Sequence, residues 1–375
     1  MIYLDYSANT PVDARVLEQF CAVERRCIGN ANSHHQAGSA AKAEIDAATI
    51  KIASLLGVQP AEIIYTSGAS EANNFALKGL ARLSRHAGRH IISTPLEHSS
   101  VSGTLTALQE QGYEIDLLDV KQDGTVDLEH LKDLLRPDTI CVAVTLVDSE
   151  LGVVQPVQEI AAILKAYPHC HLHVDATQAV GKIPVSFEGV DTMSLTAHKF
   201  YGLNGIGMLI KRRNLALEPL IHGGESTTIY RSGTPTVALA SSLACALDLA
   251  IIDLPNRVDH VAKLNAELRA TLSTYPLVRI NSPDHAIPHV LNLSVQNVKG
   301  TVFQRELDAK GVCVSVKSAC SSDGLPSRAV FAVSRDRRNA LSSWRISLSH
   351  LTTEDEIKAF LQAFDVCYRE LTAVH

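Results

Sequence analysis

Residues 171–182 read HLHVDATQAVGK and residues 194–202 read SLTAHKFYG. In each stretch a short apolar run stops on polar residues, at Asp175 in the first and just before Lys199 in the second. The same rhythm runs from residue 36 to about 255. The strand-like runs EIIYT, HIISTP, EIDLLDV, TICVAVTLV, HLHVDA, DTMSLTA and IGMLIKR follow one another in order. Between many of them lie stretches with apolar residues three or four apart, at 36–57, 70–85, 99–112, 128–135 and 157–167. Near-continuous apolar strands separated by helices mean a mostly parallel sheet covered on both faces. The expected fold is therefore α/β, with a mainly parallel seven-stranded sheet. In such sheets ligands gather beyond the carboxyl ends of the strands, where the polar residues of this chain fall.

A second region begins near residue 257, after an apolar helical stretch at 236–254. It carries the shorter strand-like runs RINSPD, HVLNLSVQNV and SSWRISLSH, and helical stretches at 301–311 and in EDEIKAFLQAFDVCYREL. The expectation is a large domain over 12–256 and a smaller α+β domain made of 1–11 and 257–375.

Composition narrows the function class. The chain has 375 residues, 46% apolar and 20% charged, with a net charge of −6. Those proportions suit an ordinary globular protein with ample core. The N-terminus lacks a basic, apolar leader pattern, and no apolar run reaches the ~18 residues of a membrane span. A cytoplasmic protein without a membrane partner is the expectation. The negative charge argues against nucleic-acid binding, since the basic clusters 211–213 and 335–338 are short and mixed. Eight cysteines without a CxxC pair point to neither a zinc site nor a disulfide framework. His169, His171 and His173 would share one face of a strand, yet they lead straight into a buried strand end, and no metal is expected.

Asp175 and Lys199 suit pyridoxal phosphate. Its chemistry needs a lysine amine to form a Schiff base with the cofactor aldehyde and a carboxylate to pair with the protonated ring nitrogen. Opposite charges ~4 Å apart at an effective dielectric of about 20 interact by about 4 kcal/mol, or roughly three pKa units. A carboxylate so placed keeps even a weakly basic ring protonated. Taken singly, Asp175 also reads as a strand-end cap and Lys199 as a surface lysine; the pairing at successive strand ends favours the cofactor. Upstream, 66-TSGASE-71 ends a strand and opens a helix, which offers amides and hydroxyls to a phosphate and also reads as a plain helix cap.

Taken together, the motifs YLDYSANTPVD, GN followed by SHH, IIYTSGASEANN, EH at 97, ELGVVQP, HVDATQAVGK, AHKFYGLNGIG, HGG at 222, RSGT at 231, SACSS at 318 and SWRISLSHLTTEDEI resemble the NifS/IscS-like cysteine desulfurases. These belong to the class V aminotransferases among fold-type I pyridoxal-phosphate enzymes, and the resemblance runs nearly end to end. It implies that Lys199 binds the cofactor covalently, Asp175 pairs with the pyridine nitrogen, Gln178 bonds the ring hydroxyl and His98 stacks on the ring and shuttles protons. Ser70, Thr196 and His198 would bind the phosphate with backbone help from Ala69, and Thr234 would reach the phosphate of a neighbouring subunit in a homodimer with shared active sites. Arg345, assisted by Asn30, would hold the carboxylate of L-cysteine.

Cys320 stands apart from the other cysteines because SVKSACSSDGLPS is polar, carries Gly and Pro, and places Lys317 nearby, which favours the thiolate. The resemblance implies that it takes the substrate sulfur as a persulfide, releases L-alanine, and passes the sulfur to an acceptor protein for iron-sulfur cluster assembly or nucleic-acid thio-modification. Competing readings are another class V enzyme, such as a selenocysteine lyase or an aminotransferase, and a low-activity member acting as an interaction scaffold. Two stretches depart from the family pattern: Asp148-Ser149-Glu150 stands where an Asn-Asn-Glu run is usual, which puts Ser149 near the ring, and 223–230 reads GGESTTIY.

Overall fold

The computed structural model describes residues 1–317 and 325–373, so the expected nucleophile Cys320 lies outside the described residues. After a two-residue strand β1 (Ile2–Tyr3), seven strands follow: β2 (Ile63–Thr66), β3 (His90–Ser93), β4 (Glu114–Leu117), β5 (Thr139–Thr145), β6 (His171–Asp175), β7 (Thr192–Thr196) and β8 (Gly207–Lys211). They form one sheet in the order β2-β8-β7-β6-β5-β3-β4. Only β8 runs against its neighbours; the others are mutually parallel, as the alternation of strands and helices requires.

Alternation along each strand sends successive side chains to opposite faces. Val142 and Val144 of β5 pack into one core with Ile160, Leu243 and Leu247, whereas Cys141 and Ala143 pack into a second core with Phe75, Leu80 and Leu105. Ile63, Ile92, Met208 and Ile210 join the first core, and their neighbours Ile64, Ile91 and Leu209 join the second. This is why the inner strands read as near-continuous apolar runs, while the edge strand β4, EIDL, is partly exposed and alternates with polar residues. The helix Val237–Ile252 is apolar all round for a related reason, being packed against helices Ala14–Arg26 and Gln36–Leu56. No single helix among the described residues is long and apolar enough to cross a membrane.

A further core contains Leu4 together with Leu264, Leu293, Phe303, Trp344 and Phe364, with Trp344 stacked 5.2 Å from Phe303. It underlies an antiparallel sheet of β9 (Val278–Ile280), β10 (Val290–Val295) and β12 (Ser343–Ser347), while β11 (Val312–Cys313) pairs in parallel with β1. Two details differ from the sequence reading. The helix Leu254–Leu272 crosses the expected junction at 256/257; the chain turns by 65° at Asp253, and Pro255 sits in the first helical turn, where its missing N–H is tolerated. The helix Ala14–Arg26 was not anticipated, because Val16 and Val23 are its only buried residues and its apolar stripe is thin.

Topology then places the polar strand ends together. Asp175 closes β6 opposite Ser194 of β7, and Lys199 ends the short 3₁₀ turn Ala197–Lys199 that follows β7. The reversed strand β8 begins at Gly207, which pairs with both Thr66 and Thr196. A β-carbon at Gly207 would lie 2.7 Å from the Gly68 Cα and 2.6 Å from the Leu195 carbonyl oxygen, so only glycine lets the 67–70 turn settle beside β7.

Candidate functional site

The ends of β2, β5, β6 and β7 enclose a cavity of about 330 Å3, within the ~300–1,000 Å3 common for small-molecule sites. Lys199, Asp175, Gln178, His98, Ala69, Ser70, Thr196, His198, Ser149 and Arg345 all line it.

One end is wired before any ligand arrives. Asp175 is buried; its Oδ1 accepts from the Thr177 amide at 2.9 Å and its Oδ2 from Asn73 Nδ2 at 2.8 Å. The same Asn73 amide nitrogen donates to Ser100 Oγ at 2.9 Å, and Asn73 Oδ1 accepts from Ser194 Oγ and lies 3.0 Å from His173 Nε2. Ser100 in turn holds His98: its backbone amide donates to His98 Nδ1 at 3.2 Å, and its hydroxyl lies 2.8 Å from the same nitrogen. With Nδ1 engaged as an acceptor, the neutral ring carries its proton on Nε2. Burial holds His98 below the ordinary histidine range, with the Asp175 charge opposing that shift. His173, fully buried and 2.9 Å from Thr192 Oγ1, is pushed down by desolvation and serves as a satisfied structural histidine. No cluster of metal-ligating residues exists among the described residues.

In the middle of the cavity Lys199 Nζ donates to the carbonyl oxygens of Ser7 and Ala8, 2.7 Å from each. Gln178 Nε2 donates to the same Ser7 oxygen at 2.9 Å, and Gln178 Oε1 accepts from Lys182 Nζ at 2.6 Å. Burial, reinforced by the charges of Lys199 and Arg345, brings Lys182 down to about 7. His198 is lowered to about 4, first by burial and then by the Lys199 and Lys182 charges.

The opposite end is built around a helix start that no side chain caps. Helix Ala69–Ser84 starts at Gly68 with no capping side chain, so the amides of its first turn open toward the cavity beside Ser70. Thr196 Oγ1, 3.1 Å from His198 Nδ1, completes this end. Glu71 also lines the cavity, with its carboxylate engaged: it accepts from the Ser67 amide at 2.7 Å and from Arg231 Nε at 3.0 Å. Arg231 thus ties the unusual 223–234 stretch to the first turn of this helix.

At the rim, Arg345 is 1% exposed. Its Nη2 pairs with Asp5 at 2.9 Å and its Nη1 donates to the Ser149 carbonyl at 2.8 Å. Ser149 therefore contributes its backbone to the arginine. Its neighbour Asp148 is buried, accepts from the amides of Glu150 and Leu151 through Oδ2, and has no partner for Oδ1 among the described residues. Desolvation, with Glu150 adding to it, raises Asp148 to about 7. Glu97, also buried, is raised to about 8 by desolvation.

Two expected residues are not brought to this cavity within the protomer. Asn30 is exposed and accepts from the Asn32 amide at 3.0 Å, and Thr234 is exposed on the 231–236 stretch. Sequence reasoning in turn missed Asn73, Ser100, Lys182 and the Ser7–Ala8 backbone. Asn73 left a trace: a polar residue set among Ala72, Ala76, Leu77 and Leu80 on the buried face of its helix. Ser7 left none, because it acts through a carbonyl that every residue carries.

The donor set matches a pyridine aldehyde phosphate: an amine at the centre, a carboxylate for a protonated ring nitrogen at one end and an uncapped helix terminus for a dianion at the other. The chain also has known counterparts. Residues 2–360 match the family described as Aminotransferase class-V. The cysteine desulfurase IscS of Dictyoglomus turgidum is 36% identical over 378 residues, covering 100% of this chain and 96% of that protein. A solved structure described as a NifS-like protein superposes with a TM-score of 0.92 at 35% identity, covering 99% of each chain. Another, described as SspA in complex with cysteine, superposes with a TM-score of 0.83 at 30% identity, covering 94% of this chain and all of that one.

Proposed function

The chain belongs to the class-V aminotransferases and, among them, to the NifS/IscS-like cysteine desulfurases, and from that premise we propose that it converts L-cysteine to L-alanine and carries the sulfur on Cys320. Pyridoxal phosphate, the cofactor of this family, supplies when bound an aldehyde for the substrate amine and a protonated ring that takes up the electrons of the reacting carbon. Lys199 would hold its aldehyde carbon, Asp175 its ring nitrogen and Gln178 its ring hydroxyl. Ser70, Thr196, His198 and the first-turn amides around Ala69 would hold its phosphate. The observation that carries this reading is the convergence of amine, carboxylate and uncapped helix end on one cavity.

The residues divide the work by position. The guanidinium of Arg345, already braced by Asp5 and the Ser149 carbonyl, would take the substrate carboxylate as a paired contact. Lys199 Nζ would accept the Cα proton; its hydrogen bonds to the Ser7 and Ala8 carbonyls hold it at that height in the cavity. His98, neutral with its proton on Nε2, would deliver or retrieve a proton on the ring face. The Cys320 thiolate would then attack the substrate sulfur. The S–S bond forms as the C–S bond breaks, and the carbon keeps the electron pair and is protonated to give alanine. No outside oxidant or reductant is required, since the sulfur leaves at the oxidation level of a persulfide.

The domain division at 12–256 and 1–11 with 257–375 belongs to the same proposal. So does a cytoplasmic homodimer in which Thr234, exposed here, reaches the phosphate in the partner's cavity. The final sulfur acceptor is a protein that docks to the persulfide, serving iron-sulfur cluster assembly or nucleic-acid thio-modification. Incubating the purified holoenzyme with L-cysteine should release alanine, and sulfide when a thiol reductant is present. Mass spectrometry should find the added sulfur on Cys320. Alanine release with no sulfur on Cys320 would overturn the mechanism. Retention of desulfuration by Cys320→Ala would favour a lyase that expels sulfur directly.

A further inference from the structure

Lys182 is a second buried amine beside Lys199, and among the described residues no carboxylate pairs with it. It comes back onto Gln178 because the tight turn through Ala176–Ile183 passes Gly181 with φ +76°. A β-carbon there would press within 3.0 Å of Phe200 Cβ, next to Lys199. An ammonium only donates and a main-chain carbonyl only accepts. Lys182 Nζ therefore faces Oε1 of Gln178, at 2.6 Å, and the Ser7 carbonyl faces Nε2, at 2.9 Å. Reversing the amide would oppose donor to donor at one end and acceptor to acceptor at the other.

The two constraints are unequal. The Ser7 oxygen is shared with Lys199 Nζ at 2.7 Å, so its hold on the amide changes whenever that amine moves. Lys182 gives Oε1 a partner independent of Lys199. The amine also borders a small cavity it shares with Lys199 and His289, and no carboxylate lines that cavity.

We propose that Lys182 is a positioning residue for the cofactor ring: by holding Oε1 of Gln178 it keeps the amide nitrogen turned to the cavity, with one N–H on Ser7 and the other free for the ring hydroxyl. This rests on the cofactor placement proposed above for Gln178. It assigns the lysine a task that no charge partner explains.

The test uses cofactor-free protein and the reconstituted holoenzyme without cysteine. Lys182→Met removes a buried amine while keeping most of its bulk. It should leave the melting temperature of the cofactor-free protein unchanged or higher, because burying an amine without a counter-charge is unfavourable. It should also weaken pyridoxal phosphate binding about fivefold to tenfold, the scale of one hydrogen bond, and shift the pH midpoint of the visible absorbance band. A lysine with a purely structural role gives the reverse, a lower melting temperature with an unmoved band, and that result would overturn the proposal.

Gln178→Ala should shift the band in the same direction, and the double variant should go no further than Gln178→Ala alone. An unmoved band in Gln178→Ala would sink the cofactor placement itself. A band that moves in Gln178→Ala but not in Lys182→Met sinks only the role of Lys182. Gln178→Glu gives a second route should Lys182→Met not fold: a carboxylate keeps Lys182 paired but offers the ring no N–H. Cofactor affinity should then drop, and unchanged affinity counts against the proposal.

Discussion

The two ends of the cavity are built on opposite principles. Around Asp175 and His98, every polar group named has a protein partner: Thr177 and Asn73 for the carboxylate, Ser100 for the imidazole. Around Gly68 and Ser70, the first-turn amides are left without a cap. The first arrangement orients; the second attracts. A ring whose protonation state matters needs fixed acceptors and donors that do not reorganise, whereas a phosphate needs only positive potential and several N–H groups. The wired end contributes to the folded state whether or not a ligand is present, and the uncapped end contributes only when an anion binds.

That contrast can be broken by substitution. The largest effect is expected at the centre, where the two ends meet: Lys199→Ala should lower alanine formation by at least about 10⁴-fold, losing both the covalent hold and the base, as measured by single-turnover alanine release. Asn73→Ala attacks the wired end. It strips partners from Asp175, Ser100, Ser194 and His173 together, and urea melts of the cofactor-free protein should show a loss of about 4 kcal/mol. A loss under about 1 kcal/mol would mean that this end is not prebuilt.

Asp148 sits at the rim and titrates. Its folded value is raised to about 7, against about 3.9 for an unfolded aspartate. Its stabilising contribution is therefore complete below about pH 4 and is lost as pH rises through about 7. Asp148→Asn keeps the acceptor for the Glu150 and Leu151 amides and removes the charge, so thermal melts should show a gain of about 4 kcal/mol at pH 8 and little change at pH 4. An equal gain at both pH values would exclude ionisation as the cause. The smallest effect belongs to the uncapped end: Ser70→Ala should leave the melting temperature of the cofactor-free protein in place and weaken inorganic phosphate by about 1 kcal/mol, roughly fivefold, in a titration.

Much of the frame was legible in the chain. The inner strands of the sheet lie within apolar runs of the sequence, because a strand buried on both faces has no polar alternation to obscure it, whereas the edge strand β4 is partly exposed and alternates. Asp175, Lys199 and His98 were legible as polar residues just beyond such runs. The helix Leu254–Leu272 was not, because the composition changes at 256/257 while this helix runs through it. Nor was the contribution of Ser149, which reaches Arg345 by its carbonyl rather than by the side chain that the family comparison draws attention to.

By itself, then, the sequence determined the layered α/β architecture and the polar residues at the strand ends that gather around the cavity, since these follow from hydrophobic periodicity and from local motifs. Only the tertiary structure decided how those residues are held. Asn73 joins Asp175 to the Ser100–His98 pair across β6 and two helices, Ser7 takes Lys199 and Gln178 from 192 and 171 positions away, and Lys182 turns back on Gln178 around Gly181. Hydrogen bonds of that kind depend on distance and direction in space, to which neither residue identity nor spacing along the chain is a guide.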